Sequence, residues 1–228
     1  MSSKNKLDYV SVTYNTKRRP ITTYPRQLTR YLFNRYNLKK GQSLLDIGCG
    51  RGDFLKGFLD CGLNGYAVDQ SDTVLNHLPE INFKYSNIEE DGIPFPDEMF
   101  DIVYSKSVIE HFYYPEKLMK EIYRVLKPGG IVITLCPSWE YNYKIYFQDF
   151  THRTPFMMES LRDIQIINGF LDVNVEYFIQ LPIVWERKWL IPFSRFTNYF
   201  APDSLKKISK WVKWSKEIML LSTSYKPA

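Results

Sequence analysis

Short apolar runs alternate with amphipathic segments along most of the chain. Ser43 to Ile47, Gly65 to Val68, Ile81 to Tyr85, Phe100 to Tyr104 and Ile131 to Cys136 read as strands. Between them, Asp53 to Leu59, Asp72 to Leu78 and Pro115 to Leu126 carry helical spacing, with Asp72 as an N-cap and Pro115 in a first turn. Near-continuous apolar strands separated by helices predict a parallel sheet covered on both faces. An earlier helix is expected from Tyr24 to Tyr36, where Leu28, Tyr31, Leu32 and Tyr36 share one face, preceded by a polar, mobile arm. Lys127-Pro128-Gly129-Gly130 reads as a turn.

After the fifth strand the alternation changes. Trp139 to Thr154 is aromatic and irregular, Pro155 to Ile167 reads as a helix, and Phe170 to Gln180 as a sixth strand. Residues 181–215 are too long for a simple connection and hold Trp185, Trp189, Phe193, Phe196, Tyr199, Phe200, Trp211 and Trp214, before Glu217 to Tyr225 returns as a last strand. Lys206, Lys207, Lys210 and Lys213 among Leu205, Ile208, Trp211 and Trp214 describe a basic amphipathic helix. It either packs on the sheet or makes a weak contact with an anionic membrane surface.

Charge sharpens this picture. The chain of 228 residues has a formal net charge of +5, distributed as +9 over residues 1–40, −10 over 41–180 and +6 over 181–228. Basic flanks around an acidic middle fit either solvated lysines or an anionic partner. The organisation expected is a basic arm and helix over 1–40 and one elaborated domain over 41–228, with 181–215 as an aromatic insertion. The longest uncharged stretch, Pro128 to Trp139, is too short to span a bilayer, and Met1 to Val10 lacks the apolar run of a secretory signal. Cys49, Cys61 and Cys136 form no CxxC pair. A cytoplasmic protein is the expectation.

The chemistry begins at Leu44-Leu45-Asp46-Ile47-Gly48-Cys49-Gly50-Arg51-Gly52, where a strand, an acid and three alternating glycines precede a helix. The glycines allow a tight turn and close approach of a ligand at the carboxyl edge of the sheet. Asp69, ending the next strand, is placed to accept hydrogen bonds from ribose hydroxyls. The spacing is GxGxG rather than GxGxxG. Asp53 stands where a dinucleotide site has its third glycine, and with Asp46 it disfavours a diphosphate and suits a cationic ligand such as S-adenosylmethionine.

These residues resemble the class I S-adenosylmethionine-dependent methyltransferases, type 11, over roughly Gly41 to Phe156. The resemblance rests on the glycine loop, the Asp69 strand end, Ile93-Pro94-Phe95-Pro96-Asp97 with Phe100-Asp101-Ile102-Val103, Val108-Ile109-Glu110-His111, and Arg124-Val125-Leu126-Lys127-Pro128-Gly129-Gly130. It implies an α/β, Rossmann-like, doubly wound sheet of seven strands, mostly parallel with the last antiparallel. It also implies S-adenosyl-L-methionine as cofactor: Asp46, Gly48, Gly50 and Gly52 shaping the methionine end, Asp69 holding the ribose, Asn87 and Ile88 edging the adenine, and Ser105 with Lys106 lining the methionine portion, with Cys49 and Gln70 also among the cofactor-binding residues. The family usually has an acid at Asn87; an amide oxygen there still accepts from the adenine amine.

Methyl transfer needs an aligned nucleophile, and a base only for a reluctant one such as a hydroxyl. Asp149-Phe150-Thr151-His152, past the fifth strand, supplies His152 as that base with Asp149 orienting it, or else caps the following helix. Glu110, His111 and His152 are similar to metal-dependent methyltransferases, but Ser107 stands where a further acid would be, and no metal is assigned. The acceptor expected is a small metabolite, sugar or glycan intermediate. The alternatives are a nucleic-acid methyltransferase, for which there is no N-P-P-[YF] motif or RNA-binding module, and a non-catalytic cofactor-binding partner.

Overall fold

The computed structural model describes residues 20–228, and the arm expected before Tyr24 lies largely outside them. Helix α1 (Tyr24–Arg35) leads into seven strands: β1 Ser43–Ile47, β2 Asn64–Asp69, β3 Asn82–Tyr85, β4 Phe100–Lys106, β5 Leu126–Pro137, β6 Leu171–Phe178 and β7 Met219–Tyr225. Their spatial order is β3-β2-β1-β4-β5-β7-β6. β7 runs antiparallel to both neighbours, and the pairs among β1 to β5 are parallel. This is the seven-stranded doubly wound arrangement that the motifs imply.

Successive strand residues point to opposite faces, so each apolar strand feeds two cores. Leu45, Ile47, Val103 and Val132 pack with Leu118, Met119 and Ile122 of α4 (Pro115–Val125) and Leu161 of α6 (Met158–Ile167). Leu44, Ala67, Ile102 and Ile133 pack with Leu28 and Leu32 of α1 and Leu55 and Phe58 of α2 (Asp53–Asp60). The Ile93–Asp97 motif is fastened to α4: Arg124 donates to the carbonyls of Ile93 (2.7 Å) and Phe95 (2.9 Å) and to Asp97 and Glu121.

Three expectations change. The segment 72–78 forms a 3₁₀ turn, Asp72–Asn76, capped by the Ser71 hydroxyl rather than by Asp72. The Lys127–Gly130 turn belongs to β5, because Gly129 N donates to Lys226 O (2.9 Å) and Lys226 N to Gly130 O (3.1 Å), drawing it into the sheet. The basic amphipathic helix is split into a 3₁₀ turn, Asp203–Lys207, and α9 (Lys210–Lys216). Its tryptophans turn inward: Trp214 stacks on Tyr24 at 6.3 Å and Trp211 Nε1 donates to Thr197 Oγ1. The chain before them forms α3 (Ile88–Asp91), α5 (Trp139–Asn142), α7 (Pro182–Glu186) and α8 (Ile191–Phe200).

Since Leu32 is fully buried between α1 and the sheet, Leu32→Ala is expected to cost about 2–5 kcal/mol, read as a shifted urea midpoint with an unchanged m-value.

Candidate active site

The loop from β1 to α2 takes the conformation its glycines permit, with φ of +66° at Gly48, +54° at Gly50 and +78° at Gly52. At Gly48 space is as limiting as φ: a Cβ there would lie 2.4 Å from Val108 Cγ2. Gly50 N donates to Asp69 Oδ2 (2.8 Å) and Ser71 N to Asp69 Oδ1 (2.9 Å), so one carboxylate clamps the glycine loop to the chain leaving β2. Gln70 Nε2 donates to Asn87 Oδ1 (3.1 Å), bridging the ends of β2 and β3; the Asn87 oxygen expected to face an adenine thus already accepts one bond. Ile88 is buried beside it, and Ser105, register partner of Ile47, brings β4 to the same edge.

The residues expected to hold a cofactor are therefore gathered along one edge: Asp46, Gly48, Cys49, Gly50 and Gly52 from β1, Asp69 and Gln70 from β2, Asn87 and Ile88 after β3, and Ser105 from β4. Asp46 is buried, and its Oδ2 has no hydrogen-bond partner among the described residues. Burial, then the charge of Asp69, holds its carboxyl well above the usual range. Asp53 does not add an open negative charge, since Arg51 pairs with it. The charge preference of the edge rests on Asp46 and Asp69. Cys49 is buried and its thiol is pushed up by that burial, so it is a packing residue and not a thiolate.

A second cluster lies past the ends of β4 and β5. Glu110 and His111 sit on the turn Ile109–His111, and Asp149 to His152 follow the turn Tyr146–Gln148. The Glu110 carbonyl accepts from Arg153 N (2.8 Å) and Thr154 N (3.1 Å), joining the two turns. Thr151 Oγ1 donates to Asp149 Oδ1 (2.6 Å), because a carboxylate only accepts. Thr151 Oγ1 therefore accepts from His111 Nδ1 (2.9 Å). His152 Nδ1 donates to Tyr146 O (2.7 Å). Both rings carry their lone pair on Nε2. The carboxylate of Asp149 thus orients His111 through Thr151, while the Tyr146 carbonyl holds His152, the ring that Asp149 was expected to orient. Nothing in the sequence points to Tyr146, which acts through its backbone.

The rings of His111 and His152 meet edge to face at 4.9 Å, and His152 packs on Tyr146 at 4.5 Å. Glu110 is fully buried, with neither carboxylate oxygen hydrogen-bonded among the described residues. Burial raises its pKa to about 8, while burial and the neighbouring His152 lower His111 to about 4; burial also lowers His152. Near pH 7 all three are neutral. One ligand atom from each lies within 4.8 Å of the others.

With this geometry in hand, residues 45–134 match the family model described as a methyltransferase domain. Over these residues the chain is similar to a methyltransferase domain. Phosphoethanolamine N-methyltransferase 2 of Caenorhabditis elegans is 30% identical over 152 residues, covering 61% of this chain and 35% of that protein. The chain thus spans about a third of the length of that relative. Among solved structures, the Haemonchus contortus phosphoethanolamine N-methyltransferase 2 complex with phosphomonomethylethanolamine and S-adenosylhomocysteine superposes with a TM-score of 0.63 at 23% identity, over 89% of this chain and 52% of that one. An Archaeoglobus fulgidus SAM-dependent methyltransferase gives 0.66 at 22%, over 96% and 100%. At these identities the structural likeness is one of fold.

Two outcomes follow for the domain. Gly48→Ala is expected to displace Val108 or the loop and to lower the melting temperature. A folded variant with an unmoved loop in a crystal structure would contradict the close-approach reading. The raised pKa of Glu110 means that its burial is tolerated below about pH 4.5 and opposes folding increasingly as pH rises towards 8. Glu110→Gln should therefore gain stability relative to wild type between pH 5 and 8.5, by about 2–4 kcal/mol, measured by denaturant titration at each pH.

Proposed function

We propose that the chain transfers a methyl group from S-adenosyl-L-methionine to an oxygen or nitrogen of a small metabolite, sugar or glycan intermediate. The observation that carries this reading is the edge where Asp69 clamps the Gly48–Gly52 loop and Asp46 leaves an unpartnered oxygen beside it. A sulfonium and an ammonium complement the carboxyl groups of Asp46 and Asp69 there, and the Asp69 carboxylate is also of the chemistry that accepts from ribose hydroxyls. The Haemonchus neighbour's bound S-adenosylhomocysteine supports the same cofactor.

In this reading the acceptor lone pair attacks the methyl carbon in line with the C–S bond, and the bonding pair leaves with sulfur, giving S-adenosylhomocysteine. A hydroxyl acceptor loses its proton to His152 Nε2, which the Tyr146 carbonyl keeps unprotonated by holding the proton on Nδ1. Asp149 acts at one remove, by fixing Thr151 and His111. Because the His152 pKa is lowered, the ring stays a competent base at pH 7, and turnover should fall only on acidification below the usual histidine range, near 6.5.

Asp69→Ala should weaken S-adenosylhomocysteine binding by about 1.5–3 kcal/mol in calorimetry. His152→Ala should cut the single-turnover rate on a hydroxyl acceptor by about 10²–10⁴ with that affinity nearly unchanged. Unaltered affinity in the first variant sinks the ribose assignment, and near-normal turnover in the second leaves His152 a structural residue. The proximity of Glu110, His111 and His152 favours one second reading, in which a divalent cation held by these three replaces the base. Chelation would then abolish turnover, and Glu110→Gln would do the same; under the base reading dialysis against a chelator leaves the rate unchanged.

A further inference from the structure

The insertion between β6 and β7 holds a helix whose polarity is reversed. Ser194, on the inner side of α8, is buried and donates to Ser215 Oγ (2.8 Å), Asn198 donates to Ser215 O (2.8 Å), and Thr197 Oγ1 accepts from Trp211. Lys216 Nζ closes the set on Asn198 O (2.9 Å). The apolar side faces out. Phe193, Phe196 and Phe200 recur at spacings of three and four along α8, which places them on one helical stripe, and Trp189 joins it from the preceding 3₁₀ turn, Lys188–Leu190; the four are 59, 64, 63 and 64% exposed. They touch chiefly one another, Trp189 with Phe193 at 6.2 Å and Phe196 with Phe200 at 4.5 Å, with Tyr199 beside them at 4.8 Å from Phe200. A soluble helix normally turns such a stripe towards a core.

The rim of this stripe is basic. Residues 181–215 contain seven lysines and arginines against two acids, Glu186 and Asp203, and Asp203 is already within reach of Lys216 (3.2 Å) and Lys206 (4.0 Å). Arg187, Lys188 and Arg195, beside Trp189 and Phe196 in the chain, are exposed, as are Lys207 and Lys210 of the segment that follows α8. A second copy of the chain would bring the same cations against these, whereas an anionic lipid surface offers both the charge and the depth of apolar boundary that aromatic rings occupy. On another side of α8 a cavity of about 810 Å³ is lined by Tyr31, Trp185 and Ile191 together with the charged Arg35, Glu176 and Arg195.

We propose that the outward stripe Trp189–Phe193–Phe196–Phe200 with its cationic rim is a docking surface for anionic membranes, seating the domain on the lipid interface by its insertion. No described helix is long and apolar enough to cross a membrane, so the contact is one of lying on the surface. The proposal stands apart from the methyl-transfer reading, and its test needs neither cofactor nor acceptor.

The test is flotation of the full chain with vesicles of phosphatidylcholine alone and of phosphatidylcholine mixed with phosphatidylserine. The chain should float with the anionic vesicles, release as salt is raised, and float poorly with the neutral ones. Phe193→Ser with Phe196→Ser should lower the partition at least about tenfold while leaving the melting temperature near that of wild type, since these rings pack on each other and not in the core. Lys188→Glu with Arg195→Glu should lower it similarly and serves alone if the aromatic variant fails to fold. Absence of flotation with anionic vesicles at low salt, or undiminished flotation of a folded variant, overturns the proposal. Self-association in light scattering that the aromatic substitutions abolish, without vesicle binding, overturns it too and assigns the face to a second copy.

Discussion

β1 pairs with β2 on one side and β4 on the other, and this placement governs everything that follows. The chain leaves β1 towards one half of the sheet and returns at β4 to begin the other, so the loops at the carboxyl ends of the two strands diverge and leave a crevice between them. The glycine loop occupies one lip of that crevice and the turn bearing Glu110 the other. Val108 reaches from the second lip to Gly48 on the first, and this contact is why the strand must end in a residue without a Cβ. The Gly50–Asp69 hydrogen bond then fixes the loop against the neighbouring strand, so that the carboxylate that shapes the edge also shares in its charge preference with Asp46.

The second cluster obeys a different constraint, the cost of burying charge. Glu110 and two imidazoles are packed together where burial outweighs the opposing charges of Lys106 and Asp149, and all three are neutral near pH 7. Two backbone carbonyls and one hydroxyl do the positioning: the Glu110 carbonyl joins the turns, the Tyr146 carbonyl fixes the tautomer of His152, and Thr151 passes the orientation of Asp149 to His111. A neutral imidazole with its lone pair on Nε2 is the state in which a ring takes a proton.

The sheet and its glycine edge were legible because their signals are local. Apolar runs of strand length and the glycine spacing each occupy a few consecutive residues, and the strand ends carrying Asp46, Asp69 and Ser105 lie where that pattern puts them. What the sequence hid depends on which side chains fold onto which, some close in the chain and some far apart. Asp53 reads as an open acid until Arg51 is seen folded onto it, and Asp149 and His152 read as a pair until Thr151 and Tyr146 take their hydrogen bonds. Lys127–Gly130 reads as a turn because the opposing Lys226 is about a hundred residues away. The insertion was open for the same reason. Lysine and tryptophan at helical spacing over 205–214 fit either packing or a surface contact; Tyr24 and Thr197 draw those tryptophans inward, and the exposed stripe falls on the preceding helix, whose inner side is Ser194, Thr197 and Asn198.

The crevice at β1 and β4 suits a nucleoside bearing a positive sulfur better than a dinucleotide diphosphate. Calorimetric titration of the protein with S-adenosylmethionine and, separately, with NAD tests it directly. Saturable heat for one S-adenosylmethionine per chain and none for NAD is the expected result. Saturable binding of NAD with no response to S-adenosylmethionine would contradict it.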